Sequence, residues 1–235
     1  GRYDQALPLY QRALAIREKA LGPEHPSTAT SLNNLANLYR KMGRYDQALL
    51  LYQRALAIYE KALGHEHPDT ATLLNNLALL YQAMARYFEA LPLFQRELAI
   101  REKALGAEQP DTGTSLNKLA VLYQDMGRYE QALPLYQRAL TIREKALGPE
   151  HPDTATSLNN LAVLYQAMGR YDEALPPYQR ALAIYEKANG PEHPDTVTSL
   201  NNVAGLYQTM GRYDEALPLY QRALTIREKA LGPEH

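Results

Sequence analysis

Cysteine and tryptophan are missing from the chain, and only two phenylalanines accompany its 18 tyrosines. The absent thiols exclude disulfides, cysteine nucleophiles and thiolate metal ligands, while leaving the compartment open. No stretch approaches the ~18 uninterrupted apolar residues of a membrane-spanning helix, and the first residues lack a signal-peptide profile. An excess of either charge is lacking too. A formal net charge of −1 argues against a general nucleic-acid binder, which would carry a basic surface. Apolar and polar residues nowhere alternate over a useful length, so strands are not expected.

What the chain has is repetition. TSLNNLA at 156–162 returns as TSLNNLA at 30–36, TLLNNLA at 72–78, TSLNKLA at 114–120 and TSLNNVA at 198–204, in steps of 42 residues. Segments of the GRYD type keep that step from Gly1, Gly43, Ala85, Gly127, Gly169 and Gly211. Five periods and a partial sixth fill the 235 residues. A unit recurring so regularly stacks on its neighbours, which makes a solenoid. The chain starts in mid-period, as a piece of a longer array would.

Residues 153–190 show the unit. Leu158, Leu161, Ala162 and Tyr165 recur at spacings of three and four, the mark of an amphipathic helix, with Pro152-Asp153-Thr154 at its entry and Gly169 as its stop. Tyr171, Ala174, Leu175, Tyr178, Ala181, Leu182 and Tyr185 make a second apolar face that ends at Gly190. Small Ala162, Ala174 and Ala181 let helices approach closely, and tyrosines fill the space beside them. The unit is thus a shorter helix A and a longer helix B, antiparallel. Eleven helices are expected in one all-α domain over 1–235: an orphan B at 3–20, then pairs spanning 27–62, 69–104, 111–146, 153–188 and 195–230. Two features fit less easily. Proline at 8, 92, 134, 176 and 218 falls early in helix B, where it removes an internal hydrogen bond. Ala85 replaces a turn glycine, so that turn either avoids positive φ or carries ~1 kcal/mol of strain.

The pattern Leu158…Leu161-Ala162…Tyr165…Gly169…Tyr171…Ala174…Tyr178…Ala181 resembles the tetratricopeptide repeat. That repeat usually has a period of about 34 residues. The longer form here, with LNNLA in helix A and ALAIREKALG closing helix B, resembles the repeats of kinesin light chains and their bacterial relatives, and the likeness covers the whole chain. It implies a right-handed superhelical solenoid whose helix-A faces line a concave groove, and a role in holding protein partners.

Asparagine is a mediocre helix former, so its recurrence in helix A asks for a reason. Around the helix axis Asn159 points away from the core side, with Thr156, Val163 and Gln166, while Asn160 lies at the edge of that face. Stacked repeats make a row of Asn33, Asn75, Asn117, Asn159 and Asn201. A carboxamide offers both a donor and an acceptor to a peptide main chain. The resemblance implies that these five hold an extended peptide. The second row, Asn34, Asn76, Lys118, Asn160 and Asn202, is expected to form a groove edge or a brace between repeats. Around them the expected groove is largely neutral: Thr30, Thr72, Thr114, Thr156 and Thr198, Asn37, Leu79, Val121 and Val163, and Gln82, Gln124, Gln166 and Gln208. Arg40 and Lys41 make its first end positive, which suits a partly acidic peptide, and Asp125 intrudes mid-array. Family members that hold chaperone tails use lysine and then asparagine at the first two groove positions. Asparagine and then usually an apolar residue stand there here, which disfavours that role.

Catalytic chemistry has no foothold. No glycine-rich phosphate loop, serine–histidine–acid arrangement or convergent carboxylate pair is present, so neither an enzyme nor a cofactor is expected. His65-Glu66-His67 invites a metal, yet His25, His67, His151 and His193 fall one per connector, with Gln109 in the remaining place. Zinc needs three or four ligands around one ion, so loop and capping roles are expected and no metal is. The glutamates and lysines of the REKA and YEKA segments read as solvated surface. The leading expectation is a noncatalytic scaffold for an extended peptide, cytoplasmic and monomeric, away from nucleic acid and membrane. The alternative is a spacer or self-assembly segment that uses its convex face or its uncapped ends, where end-to-end association would occur.

Overall fold

The computed structural model describes residues 2–231, so Gly1, named above, lies outside it. The described residues form eleven α-helices and no strand, an all-α repeat solenoid. They fall into two compact units, Gly1–Ala107 and Glu108–His235. The first holds α1 (Arg2–Leu21), α2 (Pro26–Lys41), α3 (Tyr45–Leu63), α4 (Pro68–Ala83) and α5 (Tyr87–Leu105). The second holds α6 (Pro110–Asp125), α7 (Tyr129–Leu147), α8 (Pro152–Ala167), α9 (Tyr171–Asn189), α10 (Pro194–Thr209) and α11 (Tyr213–Leu231). Even-numbered helices are of type A and odd-numbered ones of type B.

Each helix A opens with proline in its first turn, where the missing N–H costs nothing. Histidine is the cap before it. Nδ1 of His25, His67, His151 and His193 accepts a hydrogen bond from the backbone N–H two residues on, at 3.1–3.2 Å. Gln109 makes no such side-chain bond. Behind the cap, buried Thr28, Thr70, Thr154 and Thr196 donate to the carbonyls of Gly22, Gly64, Gly148 and Gly190 and tie the connector down.

Helix A ends in a Schellman turn, in which Arg44 N–H bonds Tyr39 C=O and Gly43 N–H bonds Arg40 C=O. The turn needs a left-handed residue, and Gly43, Gly127, Gly169 and Gly211 supply it at φ 70–75°. Ala85 adopts the same region at φ 55°, so the substitution is accommodated as strain and not by another turn. Ala85→Gly should therefore raise stability by about 1 kcal/mol, read as a melting temperature ~2–4 °C higher. An unchanged or lower value would show that the turn is not strained. The helix-B prolines stay within continuous helices, and α9 tolerates Pro176 and Pro177 together.

Packing is large against small. Ala162, Ala174, Tyr178, Val203, Leu206, Tyr207 and Ala216 form one buried cluster across α8–α11, and Ala120, Ala132, Tyr136, Leu161 and Leu164 form the preceding one. Neighbouring B helices are laced by ion pairs from Arg54 to Glu18, Arg96 to Glu60, Arg180 to Glu144 and Arg222 to Glu186, at 2.5–2.7 Å. Lys61, Lys103, Lys145 and Lys187 likewise reach back to Glu24, Glu66, Glu108 and Glu150 in the connectors. The REKA and YEKA charges thus link repeats, although exposed pairs of this kind are worth only a few tenths of a kcal/mol each.

A second link varies along the chain. Arg17 donates to Ser31 Oγ at 2.7 Å and Arg143 to Ser157 Oγ at 2.8 Å, each pair lying fourteen residues apart. Where tyrosine replaces the arginine, at Tyr59 and Tyr185, its hydroxyl instead meets Thr30 and Thr156 of its own pair, at 2.9 Å. Fourteen residues beyond Tyr59 stands Leu73, fully in keeping with an apolar slot. Beyond Tyr185 stands Ser199, buried, its hydroxyl without a hydrogen-bond partner among the described residues.

Candidate interaction surface

Spacings of three and four carry one stripe along each helix A. It runs Thr114, Asn117, Val121, Gln124 on α6, Thr156, Asn159, Val163, Gln166 on α8, and Thr198, Asn201, Gly205, Gln208 on α10. The first unit repeats it as Thr30, Asn33, Asn37, Arg40 and as Thr72, Asn75, Leu79, Gln82. Asn33, Asn117, Asn159 and Asn201 are half-buried.

The two asparagine rows are joined. Asn76 Nδ2 donates to Asn33 Oδ1 at 2.8 Å, Asn160 to Asn117 at 3.0 Å and Asn202 to Asn159 at 2.7 Å. Each bond spans two successive A helices, so the second row braces repeat to repeat. Asn34 is exposed and Lys118 half-buried. Asn75 departs from the ligand-facing role expected of its row. It is only 8 % exposed, and its Nδ2 donates to Asn76 Oδ1 at 3.2 Å.

The glutamines are held from behind. The hydroxyls of Tyr136, Tyr178 and Tyr220 donate to Oε1 of Gln124, Gln166 and Gln208 at 2.9–3.0 Å. In the first repeat Arg40 replaces the glutamine, and Tyr52 donates to Asn37 Oδ1 at 2.8 Å instead. Phe94 stands at that tyrosine's place beside Gln82 in the next. Burial pushes the phenols up: Tyr178 to about 12, and Tyr136 further still, helped by the Asp125 charge. Tyr52 moves the same way through burial, pulled back by Arg40.

The threonine hydroxyls bond back onto their own helices. Thr30, Thr72, Thr114, Thr156 and Thr198 donate to the proline carbonyl four residues back. Val121 and Val163 are half-buried against the core clusters, and Leu79 is half-buried too. Lys41 and Asp125 are exposed and Arg40 half-buried. Asn37 and Lys41 help line a cavity of about 330 Å³ between α1 and α2, with Tyr3 and Tyr10 opposite. Among the described residues no three His, Asp or Glu side chains gather as a metal site would require, and no helix is long and apolar enough to cross a membrane.

Sequence reasoning passed over the tyrosines that hold the glutamines, taking them as filler alone. The signal was available: Tyr136, Tyr178 and Tyr220 each follow their glutamine by twelve residues.

A family model described as "Tetratricopeptide repeat" matches residues 1–61, 42–103, 69–145, 111–187 and 165–229. Among solved structures, the kinesin light chain nearly identical TPR-like repeats of Podosopora anserina share 34% identity over 88% of this chain and 98% of that one, with a TM-score of 0.77. BtubC (BKLC) from P. vanneervenii is similar in fold, with 24% identity, 99% and 93% coverage and a TM-score of 0.83. YrrB, described as a TPR protein with an unusual peptide-binding site, shares 21% identity over 92% of this chain and 91% of its own, at a TM-score of 0.54. No curated protein matches the chain.

Proposed function

Since the chain belongs to the tetratricopeptide-repeat family, whose fold generally mediates protein–protein interactions, we propose that it is a noncatalytic scaffold holding an extended peptide against the helix-A stripes of a single array. The observation that carries this reading is the braced first row. Asn33, Asn117 and Asn159 are fixed through Oδ1 by the second row and half-exposed beside it. A polar group already oriented loses little freedom on binding, which favours affinity. An acidic residue of the partner would lie near Arg40 and Lys41, and a cytoplasmic setting suits such a role.

Peptide display tests the reading, with the parent compared against Asn33→Ala/Asn117→Ala/Asn159→Ala once circular dichroism shows the variant folded. Asn75 is left intact because it is buried. Three lost hydrogen bonds at about 0.5–1.5 kcal/mol each should weaken binding at least ~10-fold. Equal affinity for every selected peptide would sink the proposal. A second reading, self-assembly, draws on apolar side chains exposed on α1 and α11, among them Leu9, Ile16, Leu217 and Leu224. It predicts that the parent selects no peptide and sediments faster as concentration rises.

A further inference from the structure

The connectors are near-copies, and one differs chemically. Helices α1, α3, α5, α7 and α11 end in leucine, whereas α9 ends in Asn189, followed by Gly190. This is the chain's one asparagine–glycine step. Each other asparagine sits inside a helix A and precedes asparagine, leucine, lysine or valine.

Three features of the step bear on its reactivity. The N–H groups of Gly106 and Gly148 donate to the carbonyls of Glu102 and Glu144 at 3.0 and 3.1 Å, but Gly190 N–H makes no such bond among the described residues. A Cβ added at Gly190 would meet nothing within 4 Å, so the residue stands in open space. The Asn189 amide nitrogen lies 3.4 Å from Asp195 Oδ2 and 3.5 Å from His193 Nδ1, contacts too long to fix it firmly.

We propose that Asn189-Gly190 is a modification site at which the chain deamidates itself, with water as the only co-reactant. The Gly190 amide gives its proton to solvent base, and its nitrogen attacks Cγ of Asn189. As the new N–Cγ bond forms, the Cγ–Nδ2 bond breaks, and Nδ2 takes a solvent proton and leaves as ammonia. Water then opens the resulting succinimide. Opening at Cγ gives aspartate, while opening at the main-chain carbonyl gives isoaspartate, in which the chain runs through the side chain. No electrons change hands: amide and water become carboxylic acid and ammonia.

Both products weaken the same connector. The new carboxylate lies at the C-terminal end of α9, where the helix dipole disfavours negative charge, and beside Asp195. Isoaspartate also adds a methylene to the main chain just ahead of Gly190 C=O. That carbonyl receives Thr196 Oγ1 at 2.8 Å and His193 N–H at 3.4 Å, bonds that hold the end of α9 to the start of α10.

Peptide mapping of the full chain, aged in warm and mildly alkaline buffer, tests the site. Fragment spectra should show the mass gain of NH₂ exchanged for OH at Asn189 at least ~10-fold sooner than at any other asparagine, since freedom from one helix hydrogen bond is worth about that factor. No preferential gain there overturns the site. Leu147→Asn, shown folded by circular dichroism, builds the same dipeptide where Gly148 N–H is tied to Glu144. It should convert more slowly than Asn189, and equal rates overturn the role of the free amide. Ageing should lower the melting temperature of the parent by about 2–4 °C and leave that of Asn189→Leu, which carries the residue of the sister helices, unchanged. An equal fall in both overturns the weakening of the connector.

Discussion

Tyr178→Ala should lower the unfolding free energy by about 3–5 kcal/mol. The ring is only 2 % exposed and sits where four helices meet, against Ala162, Ala174, Val203 and Leu206. Those alanines cannot grow into the space, and helices held on two sides by further repeats close over a void poorly. Tyr178→Phe should cost only about 1 kcal/mol, the value of the single hydrogen bond to Gln166. The chain itself supplies the precedent, because Phe94 fills the equivalent place with 0 % exposure. Urea unfolding gives the overall loss, and hydrogen exchange along α8 and α9 localises it. Because repeat arrays unfold in segments, the exchange measurement is the more decisive of the two. A loss below about 1 kcal/mol for the alanine variant would mean that the ring is not what holds these helices apart.

Alkali should destabilise the protein through its buried phenols. The Tyr178 phenol is raised from 10.0 to about 12 by burial. The unfolded chain therefore releases this proton near pH 10, while the folded protein keeps it. The contribution is whole below pH 10 and is lost as pH rises through about 12. Two pH units correspond to about 2.7 kcal/mol. Tyr136, Tyr52 and Tyr185 shift in the same direction, burial being the leading cause for each. Their effects accumulate across both units. Stability measured by urea titration should fall steeply between pH 10 and 12, with tyrosinate absorbance appearing together with unfolding. Phenols that ionise in the folded state near pH 10, with stability unchanged, would refute the account.

The helix pairs were legible because a 42-residue period superimposes five copies of one amphipathic pattern, and chance irregularities average away. That Asn159 and Asn160 point in different directions was legible for a related reason: 100° of rotation separates neighbours on a helix. What escaped lay in single copies or across repeats. Histidine caps were only broadly foreseen, since the usual capping side chains are oxygen-bearing and Nδ1 takes their part here. Asn75 shares its face with Asn159, yet it is buried and bonded to Asn76. Glu97 breaks the pattern, fully buried beside Arg101 where Ala55, Ala139, Ala181 and Ala223 stand in other B helices. Pattern reading smooths over such exceptions. The threonines share the asparagine face but satisfy their own helix backbone first, a local competition that a wheel does not display.

The arginine–serine links have a consequence for how such an array changes over generations. Arg17 with Ser31, and Arg143 with Ser157, place lock and key fourteen residues apart in a block of 42. A whole-block duplication or loss whose breakpoint falls outside that short span inherits both halves intact. A breakpoint inside it joins Arg17 to Leu73, stranding a guanidinium against an apolar slot, or brings tyrosine before serine. Tyr185 before Ser199 already has the latter form, with a buried hydroxyl left unanswered. That mismatch is what a recombination scar inside the span would leave behind.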